Sequence, residues 1–269
     1  MKNKLLIASV VFLITLVSAP FSAEAQEKDA FKKEHFIKDG DTLKYRILFP
    51  KNFSEEKQYP VVLFLHGAGE RGNDDEAQLT HGSKLFLEKQ EEFPAIVIFP
   101  QAPKEDYWAK VEVKRDTIPF QFDFMNEKPA TKSLQLVMDL MEEIITGDYV
   151  DQDRIYLGGL SMGGMGTFEL LYKKPEMFAA AFAICGGANP EIAKDYRKGF
   201  NIWLFHGEKD DVVPPDNSKK MARMINHYGG NAKLSLYPDD NHNSWDSAFA
   251  EPHLLPWLFS HSLENENNK

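Results

Sequence analysis

Gly159-Leu160-Ser161-Met162-Gly163 follows directly on the apolar run Arg154-Ile155-Tyr156-Leu157-Gly158 and leads into a stretch of helical character. The order predicts a strand, a sharp turn with the serine at its apex, and a helix. Glycines on both sides leave room for a backbone that bulkier residues would not tolerate, and the turn holds the serine side chain exposed above the strand end. The bare pattern is common. Its weight comes from what surrounds it: a His-Gly turn after an earlier apolar run, an acidic loop after a later one, and a histidine towards the C-terminus.

The spacing of apolar runs sets the fold class. Leu43–Phe49 has strand character, and Asp39-Gly40 marks a turn before it, so an antiparallel hairpin is expected to open the fold. Short runs rich in Val, Ile, Leu and Phe follow at 61–65, 95–99, 155–157, 179–184, 202–205 and 233–237. Runs of this kind suit strands buried on both faces of a parallel sheet. Helix-like stretches alternate with them at 84–89, 133–145, 165–173 and 218–228. In the second of these, Leu134, Val137, Met138, Met141 and Ile144 recur at helical spacing as a core-facing stripe. The expected class is therefore α/β: a mostly parallel central sheet with helices on both faces, its functional groups outside the carboxyl ends of the strands.

One segment breaks this rhythm. Some thirty residues separate the run ending at Phe99 from the helix near Ser133, where a few are usual. Phe120, Phe122 and Phe124 alternate with Gln121 and Asp123, which predicts a short extra strand or hairpin. This insertion, about 101–132, reads either as a cap on the sheet edge or as an aromatic wall or lid over the site.

The N-terminus carries Lys2 and Lys4, the apolar segment Leu5–Val17, and small residues ending in Ala23-Glu24-Ala25. This is the pattern of a secretory signal peptide, residues 1–25, cleaved after Ala25. The apolar segment falls short of the about 20 residues a membrane span needs. Export to the periplasm or medium is expected, with no membrane attachment after cleavage. Gln26–Lys269 then suits one α/β domain, with an unstructured tail at about 264–269.

The formal net charge of −10 is spread along the chain, which disfavours nucleic acid and anionic membrane as partners because both are polyanions. Cys185 is the only cysteine, so no internal disulfide can form. Its place at the end of an apolar run predicts a buried thiol acting as a small hydrophobe. The eight histidines include no HExxH pair, and neither a P-loop nor a dinucleotide fingerprint is present. No metal and no cofactor are implied.

Acyl transfer at a serine requires a nucleophile, a base, an acid that orients the base, and donors for the oxyanion. Ser161 takes the first role, and the backbone N–H of Met162 is one oxyanion donor. The second donor is expected from His66-Gly67-Ala68-Gly69, with Ala68 N–H preferred and Gly69 the near alternative. His66 reads as a hydrogen-bonding anchor of that loop. Glu70 and Arg71 read as a local ion pair that shapes the turn, with a substrate-facing Arg71 as the alternative. The acid is expected after the run at 202–205, Asp210 first and Asp211 second. His242, in Asp239-Asp240-Asn241-His242-Asn243-Ser244-Trp245, is the expected base, whereas His253 and His261 read as surface positions. Trp108, Trp245, Phe120 and Phe122 are candidates for the substrate pocket.

The stretches at 65–72 (LHGAGERG), 159–170 (GLSMGGMGTFEL), 184–188 (ICGGA), 205–214 (FHGEKDDVVP) and 241–245 (NHNSW) together resemble the α/β-hydrolases. Within them the chain is similar to secreted bacterial carboxylesterases often labelled predicted peptidases, related to the phospholipase/carboxylesterase and feruloyl esterase branches. The resemblance implies Asp210 as the acid and His242 as the base. It departs from the family at Asp240-Asn241, where a glycine is common, and in the length of the phenylalanine-rich insertion. It implies hydrolysis of a short-chain or aryl ester, acetyl or feruloyl and small or glycan-linked, through an acyl-enzyme. Two other readings stand beside it. One is a serine peptidase of the prolyl oligopeptidase kind; the other is a non-catalytic binding protein on the same scaffold.

Overall fold

The computed structural model describes residues 28–264. The signal segment with its cleavage point after Ala25, and the tail beyond 264, lie outside the described residues. Among the described residues no helix is long and apolar enough to cross a membrane.

The chain opens with β1 (Lys32–Lys38) and β2 (Asp41–Leu48), paired antiparallel around Asp39-Gly40. Gly40 has φ +85 and Asp39 φ 53, so both turn residues lie in the left-handed region that a tight two-residue hairpin turn uses. After β3 (Tyr59–Leu65), α1 (Ser83–Lys89) and β4 (Ile96–Gln101) comes a two-stranded hairpin of β5 (Val111–Lys114) and β6 (Gln121–Phe124). Next are α2 (Lys132–Ile144), β7 (Val150–Leu160), α3 (Met162–Lys173), β8 (Ala180–Ile184), β9 (Asn201–Gly207) and α4 (Asp216–His227). β10 (Asn231–Tyr237), α5 (Trp245–Phe249) and α6 (Leu254–Phe259) complete the order.

The main sheet has eight strands in the order β1-β2-β4-β3-β7-β8-β9-β10. It is parallel from β4 to β10 and antiparallel at its first two pairings. Strand alternation divides its side chains between two cores. Along β3, Val61, Leu63 and Leu65 join Leu134, Val137, Met138 and Met141 of α2 and Phe168 of α3 on one face. Val62 and Phe64 join Phe86 of α1, Phe182 and Leu254 of α6 on the other. Both faces are therefore covered, as the continuous apolar runs require.

The insertion after β4 is anchored rather than loose. Glu169 of α3 is buried, and its Oε2 accepts the Lys110 N–H at 2.8 Å and an Asn126 Nδ2–H at 2.9 Å. Burial raises the Glu169 carboxyl above its usual value despite these bonds. Thr131 caps α2 by accepting the Leu134 N–H, and its hydroxyl donates to the Tyr107 carbonyl at 2.6 Å. Phe122 and Phe124 stack at 5.8 Å and pack with Val111 and Tyr107 against Met165 and Val213.

The passage from β7 to α3 is the tightest in the fold. A Cβ on Gly163 would collide with the Leu65 carbonyl at the end of β3, and one on Gly159 with the Gly163 carbonyl. Helix α3 therefore starts in direct backbone contact with two strand ends. Gly163→Ala should destabilise the protein by about 3 kcal/mol or more through overpacking. Urea unfolding followed by circular dichroism will show this as a lowered midpoint.

Candidate active site

Four loops carrying candidate residues leave the carboxyl ends of parallel strands: His66-Gly67 after β3, Ser161 after β7, Asp210 after β9 and His242 after β10. The fold thus brings together residues far apart in sequence at one edge of the sheet, where open parallel sheets collect their ligands. Ser161 itself adopts φ 53 and ψ −115, a left-handed backbone that costs a non-glycine residue of order 1–3 kcal/mol. Its N–H donates to the Ile184 carbonyl at 2.8 Å, and its carbonyl accepts the Met165 N–H at 3.0 Å. These bonds hold the strained residue from both sides.

The Ser161 Oγ lies 2.9 Å from His242 Nε2, and His242 Nδ1 lies 2.8 Å from Asp210 Oδ2. Because an ionised carboxylate only accepts, Nδ1 carries the proton and Nε2 is left free to accept the serine hydroxyl. Asp210 is fully enclosed while the imidazole remains one-fifth exposed. Burial alone would push the Asp210 carboxyl up. Hydrogen bonds from His206 and His242, the electrostatic attraction of the His242 ring and the Val213 N–H outweigh it and hold the carboxyl well below the usual carboxylate range. Its other oxygen accepts the Val212 and Val213 N–H groups at 2.9 Å each. Asp211, the second candidate acid, is exposed and makes no such contact.

His206 was not singled out by the sequence. It is completely buried, with Nε2 3.2 Å from Asp210 Oδ2 and 2.8 Å from the Val213 carbonyl, and Nδ1 2.7 Å from Ser218 Oγ. It therefore braces the carboxylate from the side opposite His242. The signal was a repeat: His66-Gly67 directly follows β3 and His206-Gly207 ends β9. At the first of these, His66 Nδ1 donates to the Gly67 carbonyl at 2.6 Å and Nε2 accepts the Ala102 N–H at 3.1 Å. Burial lowers its pKa to about 4, so the ring is neutral.

Ala68 opens a 3-10 turn, Ala68–Glu70, and Met162 opens α3 directly beside Ser161. The first N–H groups of such turns have no partner within the turn, so both are available to an oxyanion. Ala68 and Gly69 both line the pocket above Ser161. That pocket, about 290 Å³, is walled by Leu160, Met165, Val212 and Val213, and by Val113, Arg115, Phe120 and Phe122 of the hairpin. Trp245 also lines it and packs edge-on against His242 at 5.5 Å.

Trp108 does not belong to this wall. It is completely buried, its indole N–H donates to the His66 carbonyl at 3.0 Å, and its Cβ fills the space beside Gly166. Its bulk serves the loop, not the pocket. Glu70 and Arg71 also part company: Arg71 donates to the Ala68, Lys104 and Asp106 carbonyls, while Glu70 faces His81 at 3.8 Å. His253 is exposed as expected, but His261 is half-buried against Trp257. Cys185 is completely buried, and its Sγ, a carboxylate oxygen of Asp210 and a ring nitrogen of His242 lie within 4.8 Å of one another. Burial, first, and the Asp210 charge raise its thiol pKa well beyond the usual range, so it stays protonated.

The neutral His66 carries a pH cost. The unfolded chain protonates this ring below about 6.5 and the folded chain only near 4, so folding stability falls as pH drops through that window. Its contribution should approach about 3 kcal/mol, using 1.36 kcal/mol per pKa unit. Urea unfolding at pH 7 and pH 4 measures the loss, and the loss should shrink in His66→Gln.

Residues 52–252 match the phospholipase/carboxylesterase family. The chain is 25% identical over 194 residues to lysophospholipase-like protein 1 of Mus musculus, covering 67% of this chain and 79% of that protein. It is 35% identical over 98 residues to a bifunctional acetylxylan esterase/xylanase of Neocallimastix patriciarum, covering 36% of this chain and 14% of that one. Among solved structures, a thermostable esterase superposes with a TM-score of 0.76 at 33% identity, over 88% of this chain. The chain spans 64% of that esterase's length, slightly under two thirds. The strand order, the serine turn and the family match agree: this chain is an α/β-hydrolase and belongs to the phospholipase/carboxylesterase family.

Proposed function

We propose that the protein hydrolyses carboxylic esters through an acyl-enzyme on Ser161, with His242 as general base and then general acid and Asp210 as the orienting carboxylate. The observation that carries this reading is the continuous chain Ser161 Oγ, His242 Nε2, His242 Nδ1, Asp210 Oδ2, at 2.9 and 2.8 Å, in an apolar-walled pocket. The serine hydroxyl attacks the ester carbonyl while its proton passes to His242 Nε2. The Met162 and Ala68 N–H groups receive the negative charge that develops on the carbonyl oxygen. Collapse of the tetrahedral species expels the alcohol, which takes the proton from His242, and leaves the acyl group on Ser161. Water, deprotonated by the same imidazole, then releases the acid.

The low pKa of Asp210 supports this division of labour. A carboxylate that stays ionised fixes the Nδ1–H tautomer and stabilises the imidazolium without taking its proton. The hairpin forms the apolar wall of the slot and suits a short aliphatic or aryl acyl group, with Phe122 and Met165 against it. The name of the Neocallimastix patriciarum relative, an acetylxylan esterase/xylanase, is in keeping with a small acyl group. The signal-like N-terminus supports action outside the cytoplasm, which N-terminal sequencing of the mature protein would test by a start at Gln26.

Ser161→Ala should lower kcat on p-nitrophenyl acetate and butyrate by at least about 10⁴-fold while the protein remains folded, and Asp210→Asn by about 10³–10⁴-fold. Retained turnover in Ser161→Ala would end the acyl-enzyme reading. Turnover of a chromogenic dipeptide in place of the esters would move the assignment to a peptidase.

A further inference from the structure

The pocket is chemically two-sided. Val113, Phe122, Met165, Val212 and Val213 make one wall largely apolar, with Arg115 over Phe120 beside them, whereas Trp245, His81 and Glu70 make the other aromatic and ionisable. The hydrolytic reading needs neither His81 nor Glu70. Both are nevertheless largely enclosed, with side chains 29% and 14% exposed. Their closest atoms are 3.8 Å apart, too far for a hydrogen bond, and neither side chain makes a hydrogen bond among the described residues. Two polar groups that face a pocket, meet each other only at 3.8 Å and keep hydrogen-bonding capacity to spare point to a polar ligand.

Their placement is fixed. Gly82 has φ +84 and packs so closely on Phe64 and Phe249 that a Cβ there would sit 3.1–3.2 Å from both rings. That turn starts α1 and sets His81 against Trp245, ring centroids 5.0 Å apart. Trp245 in turn contacts His242. The Glu70 carboxylate folds over Gly67 in the oxyanion loop. An arc therefore runs from the base, across an indole and an imidazole, to a carboxylate.

We propose that this arc is the subsite for the departing alcohol and that it takes a polyhydroxylated one, a sugar unit. The inference rests on the acyl-enzyme reading above. The departing oxygen must come within reach of His242 Nε2 to receive its proton. The rest of the alcohol then lies against the groups that flank that ring, namely Trp245 and, behind it, His81. An indole offers a flat apolar face to the C–H side of a pyranose ring. A carboxylate accepts hydroxyl hydrogens through charge-assisted bonds, and an imidazole both donates and accepts. The Glu70–His81 gap leaves both free to bond hydroxyl groups on one sugar. A simple alkyl alcohol would leave these groups unpaired.

Two acetyl esters that differ only in the alcohol test this: mono-O-acetylated methyl β-xyloside and ethyl acetate, with acetate release followed in both. For Glu70→Gln, His81→Ala and Trp245→Phe, the ratio of kcat/KM on the xyloside ester to that on ethyl acetate should fall at least tenfold, chiefly through KM. Free methyl β-xyloside should inhibit ethyl acetate hydrolysis competitively in the wild type, and at least tenfold more weakly in the variants. Equal losses on both esters would assign the arc a structural role and overturn the proposal, as would an unchanged ratio. Acetate release surviving in Ser161→Ala would instead sink the acyl-enzyme reading on which it rests.

Discussion

The backbone contact between the start of α3 and the ends of β3 and β7 governs the rest of the site. Gly163 lies directly on the Leu65 carbonyl and Gly159 on that of Gly163, so the chain leaving β7 has no room to reverse gradually. The reversal is concentrated in Ser161, whose left-handed φ of 53 is the cost. The strain is held by bonds to Ile184 and Met165 and by a helix packed through Phe168, Leu170 and Leu171 into the core. What it produces is a hydroxyl standing clear of the sheet, next to the unpaired N–H groups of a nascent helix. The same crossing sets the Leu65 end of β3, and so the position of the loop that carries Ala68.

Charge at the site is handled by burial combined with excess hydrogen bonding. Asp210 is enclosed, which should favour its neutral form, yet two N–H groups and two imidazoles converge on it. It stays ionised where an isolated buried carboxyl would not. His66 is the opposite case. It is buried with one donor and one acceptor partner and no anion in contact, so it stays neutral and ties the Gly67 loop to Ala102. Two histidines in matching His-Gly turns thus do different work because one has a carboxylate beside it and the other does not.

Much of this was legible in the sequence. The central strands are continuous apolar runs because both faces of the sheet are covered, and the order of serine, acid and histidine loops follows from their places after successive strands. Three things were harder to read. Helix α3 begins at Met162, three residues before its periodic stripe, because Met162-Gly163-Gly164 reads as loop until the close crossing explains the glycines. β7 extends back to Val150 through Asp151-Gln152-Asp153-Arg154, polar because this end of the strand is only partly covered. Trp108 was read as a pocket residue because aromatic side chains are ambiguous. Nothing local indicates that its indole N–H is taken up by the His66 carbonyl. His206, Glu70 and His81 matter through contacts between distant segments, which no local pattern carries.

The central claim is that Ser161 is an activated nucleophile, and covalent trapping tests it most directly. A fluorophosphonate, which reacts with such serines by loss of fluoride, should add one phosphonyl group per chain. Intact-mass spectrometry and peptide mapping should place it on Ser161, and the Ser161→Ala protein should remain unlabelled. A folded wild-type protein that takes up no label, or that carries it on another residue, would contradict the account.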